Sequence, residues 1–432
     1  MLFNLFMGVV FLQKYKTITL NGVLFRWRHQ NAVGFIYINC NFGNYETATM
    51  MSAATHPPAL VSDFNSRKFK FWSFLSMFLL VFVHGYNLHE RYMQPWTLPC
   101  EPLNITTFTE YFLANGIFRF RIPMLFIISG FLYALHDYRP YRQRTGKRLR
   151  TLLLPYLIWS ALGFAFTYFL ELFPYTRDIV TTSNIVRIDD HRVMLHDYHW
   201  YEMLGRWILL PVPYQLWFLR VLLIYNIIYP GIRWCVTHPV AKWIFFIFAL
   251  LLWLGAMGFV FIEGEGLLFF SLGVWIQKTN YSIDIHARWA KPAWWGVAFI
   301  VLATVKTLLA FFGQPVMGNA IYPVLIILHK LVIFSGLITA WYGCNGLVNW
   351  FMQHKWFVWL TAFSFIIYAM HAPLVAYAIE ALFPLVHHVP EYRLLSFILL
   401  PVTLIALAVG TGALIRRVLP GVYGILTGGR GM

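Results

Sequence analysis

Charge is scarce in this chain, and acid is scarcer than base. Only 12% of its 432 residues are Asp, Glu, Lys or Arg, about half the share of an ordinary soluble domain. Cysteine is rarer still. Cys40, Cys100, Cys235 and Cys344 are scattered without the spacing of a metal site or a disulfide framework, so thiol redox chemistry has no support and no metal site is expected. No internal repeat in loop length or apolar pattern divides the chain into halves. What fills the sequence is apolar: 59% of residues are hydrophobic and 19% aromatic, more than a water-soluble fold of this length can hide. The formal charge of +16 would point to nucleic acid in a soluble protein. Here the basic residues fall mostly in short loops between apolar runs, so they read as a topology signal and no nucleic-acid partner is expected.

Those apolar runs have the length a bilayer requires. About ten lie near 71 to 88, 119 to 136, 151 to 171, 207 to 229, 243 to 262, 266 to 277, 294 to 313, 321 to 342, 356 to 380 and 394 to 415. The fold class is therefore an all-α, polytopic integral membrane helix bundle with membrane lipid as its solvent. The basic run after the second span places Arg139, Arg142, Arg144, Lys147, Arg148 and Arg150 in one cationic loop, which assigns that loop to the cytoplasm. Alternation then puts Arg67, Lys68 and Lys70, Arg233 and Lys242, Lys278, Arg288 and Lys291, Lys355, Arg416 and Arg417 inside, with both termini. Glu90, Glu101, Glu110, Asp178, Asp189, Asp190, Asp197, Glu202, Glu263 and Glu265 fall outside. The sixth span is too short for an upright crossing, so it reads as re-entrant or buried by its neighbours. The outer loops 89 to 118 and 172 to 206 mix aromatics and acids with His191, His196 and His199, as a solvated surface does.

Residues 1 to 66 form a poorly defined N-terminal extension. MLFNLFMGVVFLQKYK lacks the basic start and the cleavage site of a signal peptide, and the stretch to Asn44 is neither a full span nor a clean strand pattern. An over-extended start, with Met50 or Met51 the true one, is the expectation, and a short amphipathic anchor is the alternative. The transmembrane domain occupies 67 to 417, followed by a cytoplasmic tail at 418 to 432.

Chemistry must come from polar residues that hydrocarbon would exclude. His84, Arg119, Arg121, Ser129, Arg220, Lys306, His329, Lys330 and His371 are so placed, whereas the spans hold almost no carboxylate. Proton-coupled carriers commonly use membrane Asp or Glu relays, while acyl transfer needs a neutral imidazole as base. Counted along their helices at about 1.5 Å per residue, His84, Arg121 and His371 all occupy the outer half of the membrane. They can share one site. Each also has a bland reading: a buried histidine that packs, an arginine that snorkels to the interface, and in Ser129 a small residue that lets helices approach.

The series VFVHGYN, RFRIPMLFIISGFL, KRLRTLLLPYLIW, QLWFLRVLLIY, FFSLGVWIQK and IIYAMHAPLV, in that order over roughly 68 to 415, resembles the acyltransferase-3 family of integral membrane acyltransferases. The resemblance implies a ten-helix bundle of a bacterial inner (plasma) membrane. It implies acyl-CoA, acetyl-CoA above all, as co-substrate with no permanently bound cofactor, and a hydroxyl of an extracytoplasmic or lipid-linked glycan as acceptor. By position it makes His84, Arg121 and His371 the catalytic residues. The cationic run, through Arg142, Arg144, Lys147 and Arg148, would attract the CoA phosphates. One departure stands out. Many relatives open the first span with an Asp and an Arg about three turns before the histidine, where this chain has Lys70 and Ser73. A polytopic transporter or lipid/glycan flippase is the alternative function, weakened by the missing repeat.

The loop charges yield a topology prediction. In a background lacking the native cysteines, a cysteine at Gln143 is shielded from an impermeant thiol reagent in intact cells, and one at Asn104 reacts. The reverse labelling pattern would overturn the assignment.

Overall fold

A computed structural model describes residues 61–89, 93–284 and 286–431, together with three short strands near the N-terminus. Those strands, Lys16–Leu20, Val23–Trp27 and Tyr37–Asn39, pair antiparallel in sequence order, so the stretch that showed no clean strand pattern carries a small meander. The Met50 or Met51 start and Cys40 lie outside the described residues. Met1–Val61 and Ser62–Met432 are separate units, and the second is built from helices.

Helix α1, Asp63–His84, begins where the Ser62 side chain accepts the Asn65 N–H at 3.2 Å, and it ends at Gly85. Helix α2, Ile105–Leu135, is not uniform. It opens with a reciprocal cap between Asn104 and Thr107, runs through a π-helical stretch, Phe112–Gly116, and a 3-10 stretch, Ile117–Phe120, and becomes regular at Arg121–Leu135. Such a break releases carbonyls from the helical ladder, and in an apolar setting each must meet a donor. Three cations supply them. Arg119 Nε donates to the Ala114 carbonyl at 3.0 Å, Lys306 Nζ to that of Asn115 at 2.6 Å and Arg121 Nη1 to that of Phe118 at 2.8 Å.

Helix α3, Tyr141–Leu170, starts ten residues before the expected span, so the basic run is largely its first turns rather than a loop. Arg and Lys are good helix formers, and their charged heads stay in water while the backbone continues. Next come α4, Tyr214–Ile227, and α5, Tyr229–Thr237, which meet at a 66° bend. Pro230 sits in the first turn of α5, where a missing N–H costs nothing. Then follow α6, Ala241–Leu254; α7, Gly264–Lys278; α8, Pro292–Phe312; α9, Gln314–Gly343; α10, Ser364–Val386; α11, Tyr392–Val418; and α12, Pro420–Thr427. Among the described residues α2, α3, α8, α9, α10 and α11 are long and apolar enough to span a membrane, and the bent α4–α5 pair makes a seventh candidate. The chain is an integral membrane protein. Helices α1, with Arg67, Lys68 and Lys70 in its early turns, α6 and α7 occupy other expected spans.

The short α7 is enclosed by neighbours. It lies against α2 at backbone distance: a Cβ added at Gly130 would stand 2.0 Å from the Phe270 carbonyl oxygen, and one at Gly273 would stand 2.1 Å from that of Ile127. At the Leu135 end of this pair, Asp137 gathers Arg144 at 2.9 Å, Arg233 at 3.1 Å and Lys278 at 2.6 Å, three cations assigned by sequence to one face. Near the His84 end Arg393 pairs with Glu101 and donates to the Asn87 carbonyl at 2.7 Å. Burial alone would raise the Glu101 carboxyl, but the hydrogen bonds from Arg393 and the His89 amide outweigh it and hold it below its ordinary value.

The α2–α7 crossing has a direct test. Gly130→Ala forces the helices apart and lowers stability by about 1–3 kcal/mol, seen as a fall in the melting midpoint in detergent. Gly410→Ala, with nothing within 4 Å of the added carbon, leaves it unchanged or slightly raised. Equal midpoints for the two variants would show that the crossing is not close-packed.

Candidate active site

Between α1, α2, α4, α9 and α10 lies a cavity of about 450 Å³. His84, the last residue of α1, lines it, and so do Arg121, Arg119, Tyr214, Glu263, Glu265, His329 and Lys330. Position on α1 explains why His84 is reachable: the helix stops there, and the ring is only partly covered.

Two aromatic neighbours set the His84 ring. The Tyr214 hydroxyl lies 3.1 Å from Nδ1, with the phenol ring edge-on at 5.0 Å. Behind it the His371 ring stacks at 5.2 Å. His371 is buried, its Nδ1 sits 3.1 Å from the Ile367 carbonyl, and it does not reach the cavity wall. Its place is fixed by a break in α10. Backbone angles turn extended at Ala372, and Pro373 has no N–H to give the Ala369 carbonyl. Gln215 fills that gap, donating through Nε2 to the carbonyls of Ala369 at 2.9 Å and Ala372 at 3.0 Å. The Tyr368 hydroxyl returns a bond to the Gln215 carbonyl at 2.7 Å. Gln215 and Tyr368 thus pin the start of α4, and with it Tyr214, onto the kink that carries His371.

Across the cavity Arg121 spends one nitrogen on the Phe118 carbonyl, while its Nε is buried without a partner. Acid faces it from the start of α7. Glu263 caps that helix, accepting the amides of Glu265 at 3.0 Å and Gly266 at 2.5 Å, and Glu265 accepts from the Trp253 indole at 3.2 Å. The wall therefore mixes Arg119, Arg121 and Lys330 with two carboxylates, a lining that can hold a polyhydroxylated molecule.

A second cavity of about 250 Å³ lies towards the Arg148 end and shares Met77, Leu125, Phe218 and Tyr368 with the first. Ser73 and Ser129 line it. Of the cationic run, Arg142 and Lys147 are exposed, Arg144 is bound to Asp137 and covers the rings of Tyr133 and Tyr229, and Arg148 alone reaches this wall. Arg67 and Lys70 are exposed, and Lys68 is buried over the Trp341 ring at 4.1 Å; none lines either cavity. Arg220 gives its Nε to the Val260 carbonyl at 2.9 Å, and Lys306 serves the α2 break. Of the loop histidines, His196 pairs with Glu171 at 2.6 Å and is not a cavity residue.

The structure thus brings His84, Arg121 and His371 into one neighbourhood, with His371 behind His84 rather than beside it. Tyr214, Gln215 and Tyr368 were missed. QLWFLR already contained Gln215, but nothing in that string reveals a bond to carbonyls more than 150 residues away.

Comparison with known proteins places this site within a recognised domain. A family model described as an acyltransferase domain matches residues 74–416. The chain is also similar to the succinoglycan biosynthesis protein ExoH of Rhizobium meliloti (strain 1021), 25% identical over 353 residues that cover 79% of this chain and 88% of that protein. No solved structure matches it significantly.

The clasp on the α10 kink is testable. Gln215→Leu orphans two buried carbonyls and lowers stability by about 1–3 kcal/mol, read as a lower melting midpoint. An unchanged midpoint would show that the kink holds without it.

Proposed function

The chain belongs to this acyltransferase family, and on that premise we propose that it moves an acetyl group from cytosolic acetyl-CoA to a hydroxyl of an extracytoplasmic or lipid-linked glycan, with His84 as general base. What carries this reading is the meeting of His84 and Arg121 on one cavity, with Tyr214 on His84 Nδ1 and a second cavity adjoining on the side of the basic run. The family match favours an enzyme over the transporter or flippase alternative. Kinship with a protein named for succinoglycan biosynthesis supports a glycan acceptor.

The geometry suggests a sequence of steps. Nδ1 of His84 carries its hydrogen and donates it to the Tyr214 oxygen, which leaves Nε2 as the basic nitrogen. The acceptor hydroxyl gives its proton to Nε2 while its oxygen attacks the thioester carbonyl carbon. Negative charge collects on the former carbonyl oxygen, where Arg121 stabilises it in surroundings that keep water away. The C–S bond then breaks, and the imidazolium returns its proton to the departing thiolate. An ester and free CoA result. His371 acts by holding the His84 ring in plane, and Glu263 and Glu265 bind acceptor hydroxyls.

Orientation follows the charge pattern: termini and the Arg148 end in the cytoplasm, the His84 cavity towards the far side of a bacterial inner membrane.

The test uses labelled acetyl-CoA with membranes containing the protein and glycan acceptor. His84→Ala and His84→Gln insert in normal amount and melt near the parent temperature, yet transfer about a hundredfold to ten-thousandfold less label. Near-normal turnover in either variant would make His84 a packing residue and send the search for the base to His371.

A further inference from the structure

The final residues are not a loose tail. Helix α12 packs against α3, where the Trp159 indole donates to the Leu426 carbonyl at 3.0 Å, and the Tyr423 hydroxyl reaches the Ala362 carbonyl at 3.3 Å. Beyond α12 the chain turns through Gly428 and Gly431, both in the left-handed region at φ +61° and +72°. Any side chain there would collide with backbone: an added Cβ comes within 2.3 Å of the Thr151 carbonyl oxygen in one case and 2.0 Å of that of Ala362 in the other. This wrap carries Arg430 inward. Its Nη1 donates to the carbonyls of Thr151 at 2.9 Å and Thr427 at 3.0 Å, and its guanidinium covers the Phe365 ring at 4.9 Å.

Arg430 and Arg148 line the same 250 Å³ cavity. Among the described residues no carboxylate forms an ion pair with either. Two guanidinium groups brought to one partly buried chamber without a counter-charge are unfavourable unless an anion joins them. The remaining polar lining is neutral: Ser73, Ser129, Asn226 and Ser364. A volume below the roughly 300–1,000 Å³ of a drug-sized pocket suits a linear arm that ends in a phosphate group at the two arginines rather than a whole nucleotide. Along α1, Ser73 in this chamber and His84 in the other are eleven residues apart, about 16 Å of helix.

We propose that Arg430, with Arg148, forms a clamp for the diphosphate of the acyl-CoA donor, from which the pantetheine arm runs through this chamber to present its thioester at His84. The C-terminal segment is then part of the donor site. The proposal rests on the acyl-CoA reading above. It also accounts for the absence of Arg67, Lys68 and Lys70 from the cavity walls: the cationic partner of the donor comes from the other end of the chain.

The experiment compares two donors on the full-length protein, acetyl-CoA and the acetyl thioester of N-acetylcysteamine, which keeps the reacting end of the arm and has no phosphate. Arg430→Gln lowers kcat/KM for acetyl-CoA by at least about tenfold, mainly through KM. The same variant leaves kcat/KM for the truncated thioester within about twofold of the parent. Arg430→Lys recovers part of the acetyl-CoA loss, and Arg148→Gln shows the same donor selectivity. An equal fall for both donors in Arg430→Gln, or no fall for either, overturns the clamp and leaves the acyl-CoA reading intact. Transfer from neither donor by the parent protein overturns that reading, and the clamp with it.

Discussion

Inside hydrocarbon a carbonyl released from its helix has no water to turn to, and the candidate site is organised by that single demand. At the break in α2 between Phe112 and Phe120, Arg119 and Lys306 answer the carbonyls of Ala114 and Asn115, and Arg121 adds a side-chain bond to the Phe118 carbonyl, which also accepts its backbone N–H. A second break, in α10 at Ala372 and Pro373, strands two more, and Gln215 answers those. The cations at the first break and the histidine at the second come to stand on either side of His84. Polar groups that would be costly as isolated insertions are here the repair of the backbone.

This arrangement divides the labour between neighbours. Arg119 and Lys306 spend their donors on main chain, while Arg121 keeps its Nε unspent. His371 commits Nδ1 to its own helix and backs His84, whose Nδ1 belongs to Tyr214. An imidazole held by stacking on one side and a hydroxyl on the other loses little freedom when a reactant arrives, which is the ordinary meaning of a preorganised site.

Much of this was legible in the sequence. Apolar runs of bilayer length locate the helices because length and hydropathy are local properties, and His84, Arg121 and His371 declare themselves as charges and imidazoles where the solvent is lipid. Arg144, Arg233 and Lys278, which the loop charges assign to one face, do lie together, and Asp137 gathers all three. Other features were less accessible. Asn21-Gly22, between runs that pair Leu20 with Val23, is a strong hairpin signal, overlooked beside the greater apolarity around it. The basic run looked like a loop because hydropathy reports where lipid ends, not where a helix ends. Gln215 and Arg430 act on partners distant in the chain, and no local pattern announces a bond of that kind.

Met77, Leu125, Phe218 and Tyr368 line both cavities, at the place where the two adjoin. An unbroken column of water at this place would be a leak, carrying protons down whatever gradient the membrane sustains. A boundary lined by thioether, isobutyl and aromatic groups is hard to wet. On the donor reading proposed above, an arm that passes from one chamber to the other passes between these side chains.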